Sequence, residues 1–375
     1  MELTAAQRAI RDTVHDFAVE EIRPAMREGD SEERFPEDVW DGLVDLDLTG
    51  LTVPEGYGGF DADRLTYALV NEEVAYGTLA VATALSVHCL ATECIAEFGS
   101  ESVREEWLPK MADGRPVGAF ALSEPDAGSN PREMTTVARR EGDEWILDGE
   151  KMWITNGQRA GVYVVFAKTD LDDPDSITQF LVPGDTDGLV PGRPEEKLGL
   201  RASDTTSLTL DGVRVPERYR LTEAGRGLAA AFRALTGGRI GIAAQSVGLA
   251  QAALDEGLDY AGDREQFGEH IGEFQSIRHK LADMHASIRA ARLLTWDAAS
   301  AQDRGEDART AASTAKYVAS ETAVDVTGEA VQLHGGYGYT TAFPVEQFYR
   351  DAKVTTIYEG TSQIQKNLIA RDLLA

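Results

Sequence analysis

This sequence has few cysteines, few lysines and little positive charge. Two cysteines, Cys89 and Cys94, are too few for a disulfide framework, and both fall in an Ala-rich apolar stretch from Leu79 to Phe98 that reads as buried core. His88 beside Cys89 matches no standard ligand spacing, so no metal centre is expected. Basic residues number 36 against 64 acidic ones, a formal net charge of −28, and only eight of the basic residues are lysines. A polyanion of that size repels nucleic acid and anionic membranes, so neither is expected as a partner. Acidic, lysine-poor surfaces suit a salt-rich cytosol, where counter-ions screen self-repulsion, and a halophilic cytoplasmic protein is the expectation. No basic-then-apolar leader opens the chain, and no apolar run is expected to reach the roughly 20 residues of a membrane span. A G-x-G-x-x-G fingerprint is missing too: Gly336-Tyr337-Gly338 lacks the third glycine, which argues against a nicotinamide site of the Rossmann type.

What is present divides into three by periodicity, and 375 residues suffice for two or three domains with large cores. Residues 1–115 read as helical. Thr4 and Gln7 form a capping box, Pro36 opens a second helix at its first position that runs through Leu48, and apolar helices follow over Leu65–Tyr76 and Thr78–Phe98, then a short one capped by Ser100. Residues 116–225 change to short β-branched runs separated by turn pairs such as Asp148-Gly149 and Asp211-Gly212. Candidate strands are Val117–Leu122, Thr136–Arg139, Trp145–Leu147, Val162–Lys168, Ile177–Val182 and Thr206–Leu210, which predicts a compact antiparallel barrel or sandwich. Residues 226–375 return to the helical period, with Ile277, Leu281, Met284, Ile288 and Ala291 stepping as a bundle seam. The fold class expected is α+β and multidomain: helical domain, central β domain, C-terminal four-helix bundle.

Chemistry concentrates at Ile357-Tyr-Glu-Gly-Thr-Ser-Gln363. Glu359 stands between a short β-type run, Val354–Tyr358, and a helix capped by Thr361 or Ser362 and running through Leu373. A carboxylate at such a junction can be desolvated, which raises its pKa toward that of a general base. Taken alone, the heptapeptide reads first as an ordinary acid in a helix's first turn, so other motifs decide. Ser123 to Asn130 ends a strand in a proline and small-residue loop where backbone amides can approach a planar polar ligand, and Trp153-Ile-Thr-Asn-Gly157 adds an aromatic ring and a hydroxyl on another strand.

Five stretches in order, Ala119–Asn130, Trp153–Gly157, Arg264–Gly268, Gln332–Gly336 and Ile357–Gln363, resemble the motifs of the acyl-CoA dehydrogenase family, and the resemblance covers essentially the whole chain. It implies an FAD enzyme in which Glu359 takes the α-proton of a fatty acyl-CoA while the β-hydride passes to flavin N5, leaving a trans-2-enoyl-CoA. By the same resemblance Phe120, Leu122 and Ser123 follow the flavin ring, and Trp153 and Thr155 cover its far face. Ser129 meets cofactor and CoA, and Glu359 and Gly360 meet the thioester. Arg264, Gln275, Gln332 and Gly336 reach a neighbouring subunit's FAD, which implies a homotetramer, and Thr361 and Gln363 hold the phosphates and adenosine. Asp126 and Asn130 stand where many relatives have Gly and Asp, which leaves the local CoA contacts open. Some branched- and long-chain members carry the base on an earlier helix, at the position of Gly238; glycine cannot take a proton, so the resemblance points to Glu359 and to short or medium straight chains. Electrons then leave to an electron-transfer flavoprotein. Rivals are an acyl-CoA oxidase, a decarboxylating or branched-chain dehydrogenase, and a catalytically silent FAD-binding interaction protein.

Overall fold

The computed structural model describes residues 2–374. Helix α1 (Ala5–Phe17) starts at the capping box, Gln7 N donating to Thr4 Oγ1 and Thr4 N to Gln7 Oε1, and continues through a π-helical turn into α2 (Arg23–Glu32). Helices α3 (Glu37–Asp45), α4 (Arg64–Gly77), α5 (Leu79–Phe98) and α6 (Glu101–Ala112) complete the N-terminal part. Pro36 is the residue before α3 rather than its first, and α3 stops at Asp45.

By length and composition alone α5 could cross a membrane, which corrects the expectation that no apolar run reaches that length. Its burial explains why it is apolar around most of its circumference. Val81 and Leu85 belong to the core shared with the C-terminal helices, whereas Leu90 and Ile95 belong to the core under the sheet. His88 joins these layers, accepting from Gly118 N at 3.0 Å, and burial holds its pKa down at about 4. Both cysteines are buried and free, and no cluster of metal-ligating side chains occurs among the described residues.

The sheet comprises β1 (Val117–Ala121), β2 (Val137–Glu141), β3 (Glu144–Thr155), β4 (Ala160–Lys168), β5 (Ile177–Pro183), β6 (Leu189–Pro191) and β7 (Thr205–Pro216), in the order β1-β4-β2-β3-β7-β6 with β5 also on β4. It curls, and it is mixed rather than wholly antiparallel: β1 and β4 run parallel, because the β2–β3 hairpin acts as a crossover between them. Two expected turns prove to be interior. Asp148-Gly149 and Asp211-Gly212 face each other across β3 and β7, where the register shifts and Gly212 N donates to Asp148 Oδ1 at 2.8 Å. The Gly-containing pairs therefore mark a bulge, and both strands continue beyond it.

Helix α7 (Gly227–Asp263) is followed by a small hairpin of β8 (Glu265–Gln266) and β9 (Glu269–His270), then α8 (Gln275–Asp303), α9 (Arg309–His334), α10 (Val345–Thr355) and α11 (Ser362–Leu373). Met284, Ile288 and Ala291 of the expected seam are buried, with Ile277 and Leu281 half-buried at its end. The β-type run before Glu359 is not a strand: Val354 and Thr355 end α10, and residues 356–360 form turns. Thr355 and Thr356 turn their hydroxyls back onto the carbonyls of Ala352 and Lys353 at 2.7 and 2.9 Å, which lets β-branched residues finish a helix.

Candidate active site

Glu359 sits in a turn of two successive left-handed residues, with φ of +49° at Glu359 and +95° at Gly360. A non-glycine residue in that region is held there by its surroundings. Two side chains do the holding. Gln365 Nε2 of α11 donates to the carbonyls of Glu359 and Gly360 at 3.3 and 2.9 Å, and Lys316 Nζ of α9 donates to the Gly360 carbonyl at 2.7 Å. Thr361 then caps α11 by accepting from Ile364 N. Among the described residues, the Glu359 amide N–H donates to no backbone carbonyl.

The Glu359 side chain enters the interior at α7. As a residue it is half-buried, yet its Oε2 is sealed and has no hydrogen-bond partner among the described residues. A Cβ on Gly238 would lie 2.4 Å from that oxygen, so the absence of a side chain there is what makes room for the carboxylate. Desolvation pushes its pKa up to about 7, against the pull of Lys316 and Arg239, while Glu93 adds to the rise. Arg239 is buried with an unpartnered Nε, and burial lowers its pKa against the attraction of Glu359. Lys316 is likewise buried, and burial brings its ammonium down to about 8. Glu93 is paired to Arg64 at 2.7 Å, so the second acid on this wall is compensated.

Lys316, Arg239 and Gln365 escape motif reading. A signal for Lys316 exists: it shares the buried face of α9 with Ala312, Ala315, Ala319 and Ala323, an isolated charge on an alanine stripe.

A second group lies at the end of the sheet. Leu122 and Ser123 leave β1, and Met152 N donates to the Ser123 carbonyl at 3.0 Å, which sets Ser123 beside Trp153 on β3. Phe120 packs against Phe166 with the rings tilted, Thr155 is half-buried, and Trp153, at φ +63°, is 58% exposed. An exposed indole at this irregular end of the β3–β7 pairing, beside Ser123, offers a face for an isoalloxazine ring. The loop behind them is fastened from below: Glu124 accepts from Lys151 Nζ at 2.7 Å and from the amides of Thr135 and Thr136. Ser129 lies on this loop and is exposed, as are Asp126 and Asn130.

A third group surrounds a cavity of about 510 Å³ lined by Arg264, Leu333, His334, Gly336 and Tyr337 among others. His334 presents a buried Nε2 with no partner among the described residues, and the position of a Cβ on Gly336 is open, so a polar ligand fits there. Gln332 and Gln275 are exposed nearby in sequence, at the ends of α9 and α8. Arg264 caps the far end of the helix that carries Gly238, roughly 40 Å along its axis. Thr361 and Gln363 remain with Glu359, at the start of α11.

The chain matches the acyl-CoA dehydrogenase models for the N-terminal domain at residues 4–115, the middle domain at 119–213 and the C-terminal domain at 225–374. It is 42% identical to the short-chain specific acyl-CoA dehydrogenase of Rattus norvegicus over 376 residues, spanning 100% of this chain and 91% of that protein. Its fold superposes on butyryl-CoA dehydrogenase from Megasphaera elsdenii with a TM-score of 0.97 at 39% identity, covering 100% of each chain. With a chain from the Acidaminococcus fermentans electron transferring flavoprotein structure the TM-score is 0.98 at 38% identity, covering 100% of this chain and 99% of that one. FAD is the cofactor of this family and of this chain. The protein belongs to the acyl-CoA dehydrogenase family, flavin-dependent oxidoreductases that act on acyl-CoA thioesters.

Proposed function

We propose that Glu359 is the base that removes the α-proton of an unbranched short- to medium-chain acyl-CoA. The observation that carries this reading is the sealed Oε2 over Gly238: a carboxylate with a pKa of about 7 is matched to proton abstraction near neutral pH. Glu359's uncommitted amide N–H is free to bond the thioester carbonyl and make the α-proton more acidic. FAD, when bound, supplies the acceptor for the β-hydride. Phe120, Leu122, Ser123, Trp153 and Thr155 would hold its ring, Thr361 and Gln363 its phosphates and adenosine, and Ser129 both cofactor and CoA. Arg239 and Lys316 keep the carboxylate from being wholly protonated at rest.

Arg264, Gln275, Gln332 and Gly336 would serve the FAD of a neighbouring subunit in a homotetramer, a reading that Arg264's place at the end of α7 far from Gly238 supports. Phe267, 96% exposed at the tip of the β8–β9 hairpin, and Tyr339, 88% exposed, are large apolar side chains of the kind that an assembly covers. Electrons would pass to an electron-transfer flavoprotein docking near Trp153, in keeping with the Acidaminococcus neighbour. The net charge of −28 supports a cytoplasm rich in salt.

Butyryl-, octanoyl-, isovaleryl- and glutaryl-CoA tested with a ferrocenium acceptor, beside an aerobic peroxide assay, examine the substrate and acceptor. A sharp optimum at a straight chain is expected, two methylenes being worth roughly tenfold in specificity. Highest specificity for isovaleryl- or glutaryl-CoA, or turnover accounted for by peroxide, would overturn the straight-chain dehydrogenase reading.

A further inference from the structure

We infer that Lys316 is a positioning residue for Glu359: its ammonium pins the left-handed Glu359–Gly360 turn from α9 and brings a positive charge to bear on the carboxylate. This rests on the reading of Glu359 as base.

Three observations meet at this residue. Its side chain is fully buried, on a helix face whose neighbours within a turn, Ala312, Ser313, Ala315, Ala319 and Ser320, are small and uncharged, so its presence carries a desolvation cost that a neutral side chain would avoid. It reaches past the surface to one backbone oxygen, Gly360 O, at 2.7 Å, the carbonyl immediately after the base. That carbonyl closes a turn whose two residues both occupy the left-handed region, where Glu359 pays a penalty that only surrounding contacts can hold. Gln365 shares the mechanical task from α11, but it is neutral. Lys316 alone combines the strap with a charge.

The groups facing Glu359 allow the electrostatic part to be separated. Arg239 on α7 is the other cation, Glu93 on α5 is the opposing acid and is paired with Arg64 of α4, and Tyr67 of α4 and Tyr358 of the turn are buried phenols that remain neutral. Near Lys316, Glu321 on the same helix accepts from Ser362 Oγ at 2.6 Å and so is engaged with α11. Removing Lys316 leaves Arg239 as the only cation of this group directed at the base.

The test compares Lys316→Met, Lys316→Arg and Gln365→Leu with wild type as FAD-loaded enzymes. Two readouts are used: the pH dependence of kcat/KM, and infrared titration of the protonated-carboxyl band that Glu359→Gln abolishes. In Lys316→Met the midpoint of both titrations should move up by about one pH unit or more, with a matching loss of rate at neutral pH. Lys316→Arg should restore the wild-type midpoint. Gln365→Leu should lower kcat and leave the midpoint in place, since only geometry is lost. If Lys316→Met does not retain FAD, Lys316→Gln carries the same comparison. A wild-type midpoint in the neutral variant, with Glu359→Gln inactive, overturns the role of Lys316. An active Glu359→Gln would instead overturn the reading of Glu359 as base.

Discussion

Gly238 and Glu359 lie against each other across the interface of α7 with the turn after α10, with space for a carboxylate only because Gly238 has no side chain. A methyl group there would stand 2.4 Å from Oε2, well inside contact distance. Gly238→Ala is therefore expected to displace the carboxylate. Turnover of butyryl-CoA should fall by about 10²-fold, the usual consequence of ångström-scale misplacement at a reacting centre. The helix itself should not suffer, since alanine is favoured over glycine in a helix by about 0.5–1 kcal/mol. Steady-state kinetics and thermal denaturation of the FAD-loaded variant check this pair of outcomes.

The pH dependence follows from the same carboxyl. A base works deprotonated, and Glu359 is raised from its ordinary value to about 7 by desolvation. Activity should be lost as pH falls through that midpoint, by about tenfold per unit below it. The kcat/KM profile of the free enzyme measures this, and an acid limb near an ordinary Glu value would contradict it.

How much of this was legible in the sequence depends on whether the signal was local. The Thr4–Gln7 capping box and the helices α4 and α5 could be read because neighbours three or four residues apart determine them, whereas Ser100 precedes α6 without a capping bond from its side chain. The strand assigned to Val354–Tyr358 could not: β-branched residues end a helix there because Thr355 and Thr356 bond their own preceding turn and Ser320 Oγ donates to the Thr355 carbonyl from α9. Asp148-Gly149 and Asp211-Gly212 look like turns singly and become a bulge only when paired. Glu359 stood out by motif, whereas Lys316, Arg239 and Gln365 are joined to it only by tertiary packing. Gly238 was visible as a residue without a side chain, but its contact with Glu359 needed the fold.

Assembly gives a further prediction. Arg264→Ala should weaken FAD retention, because a guanidinium on a phosphate is a charge-assisted contact. Light scattering across a KCl series should show the tetramer growing toward molar salt, as the screening length shortens from about 10 Å at ~0.1 M to about 3 Å at ~1 M. A monomer that keeps its FAD would contradict the assembly, and a flat salt profile would contradict the halophilic reading alone.

The central claim is that Glu359 takes the α-proton, and anaerobic mixing of butyryl-CoA with FAD-loaded Glu359→Gln tests it most directly. The variant is expected to bind FAD and keep its circular dichroism, while bleaching of the flavin absorbance slows by about 10²-fold or more, the scale of losing a general base. Bleaching at the wild-type rate would contradict the account.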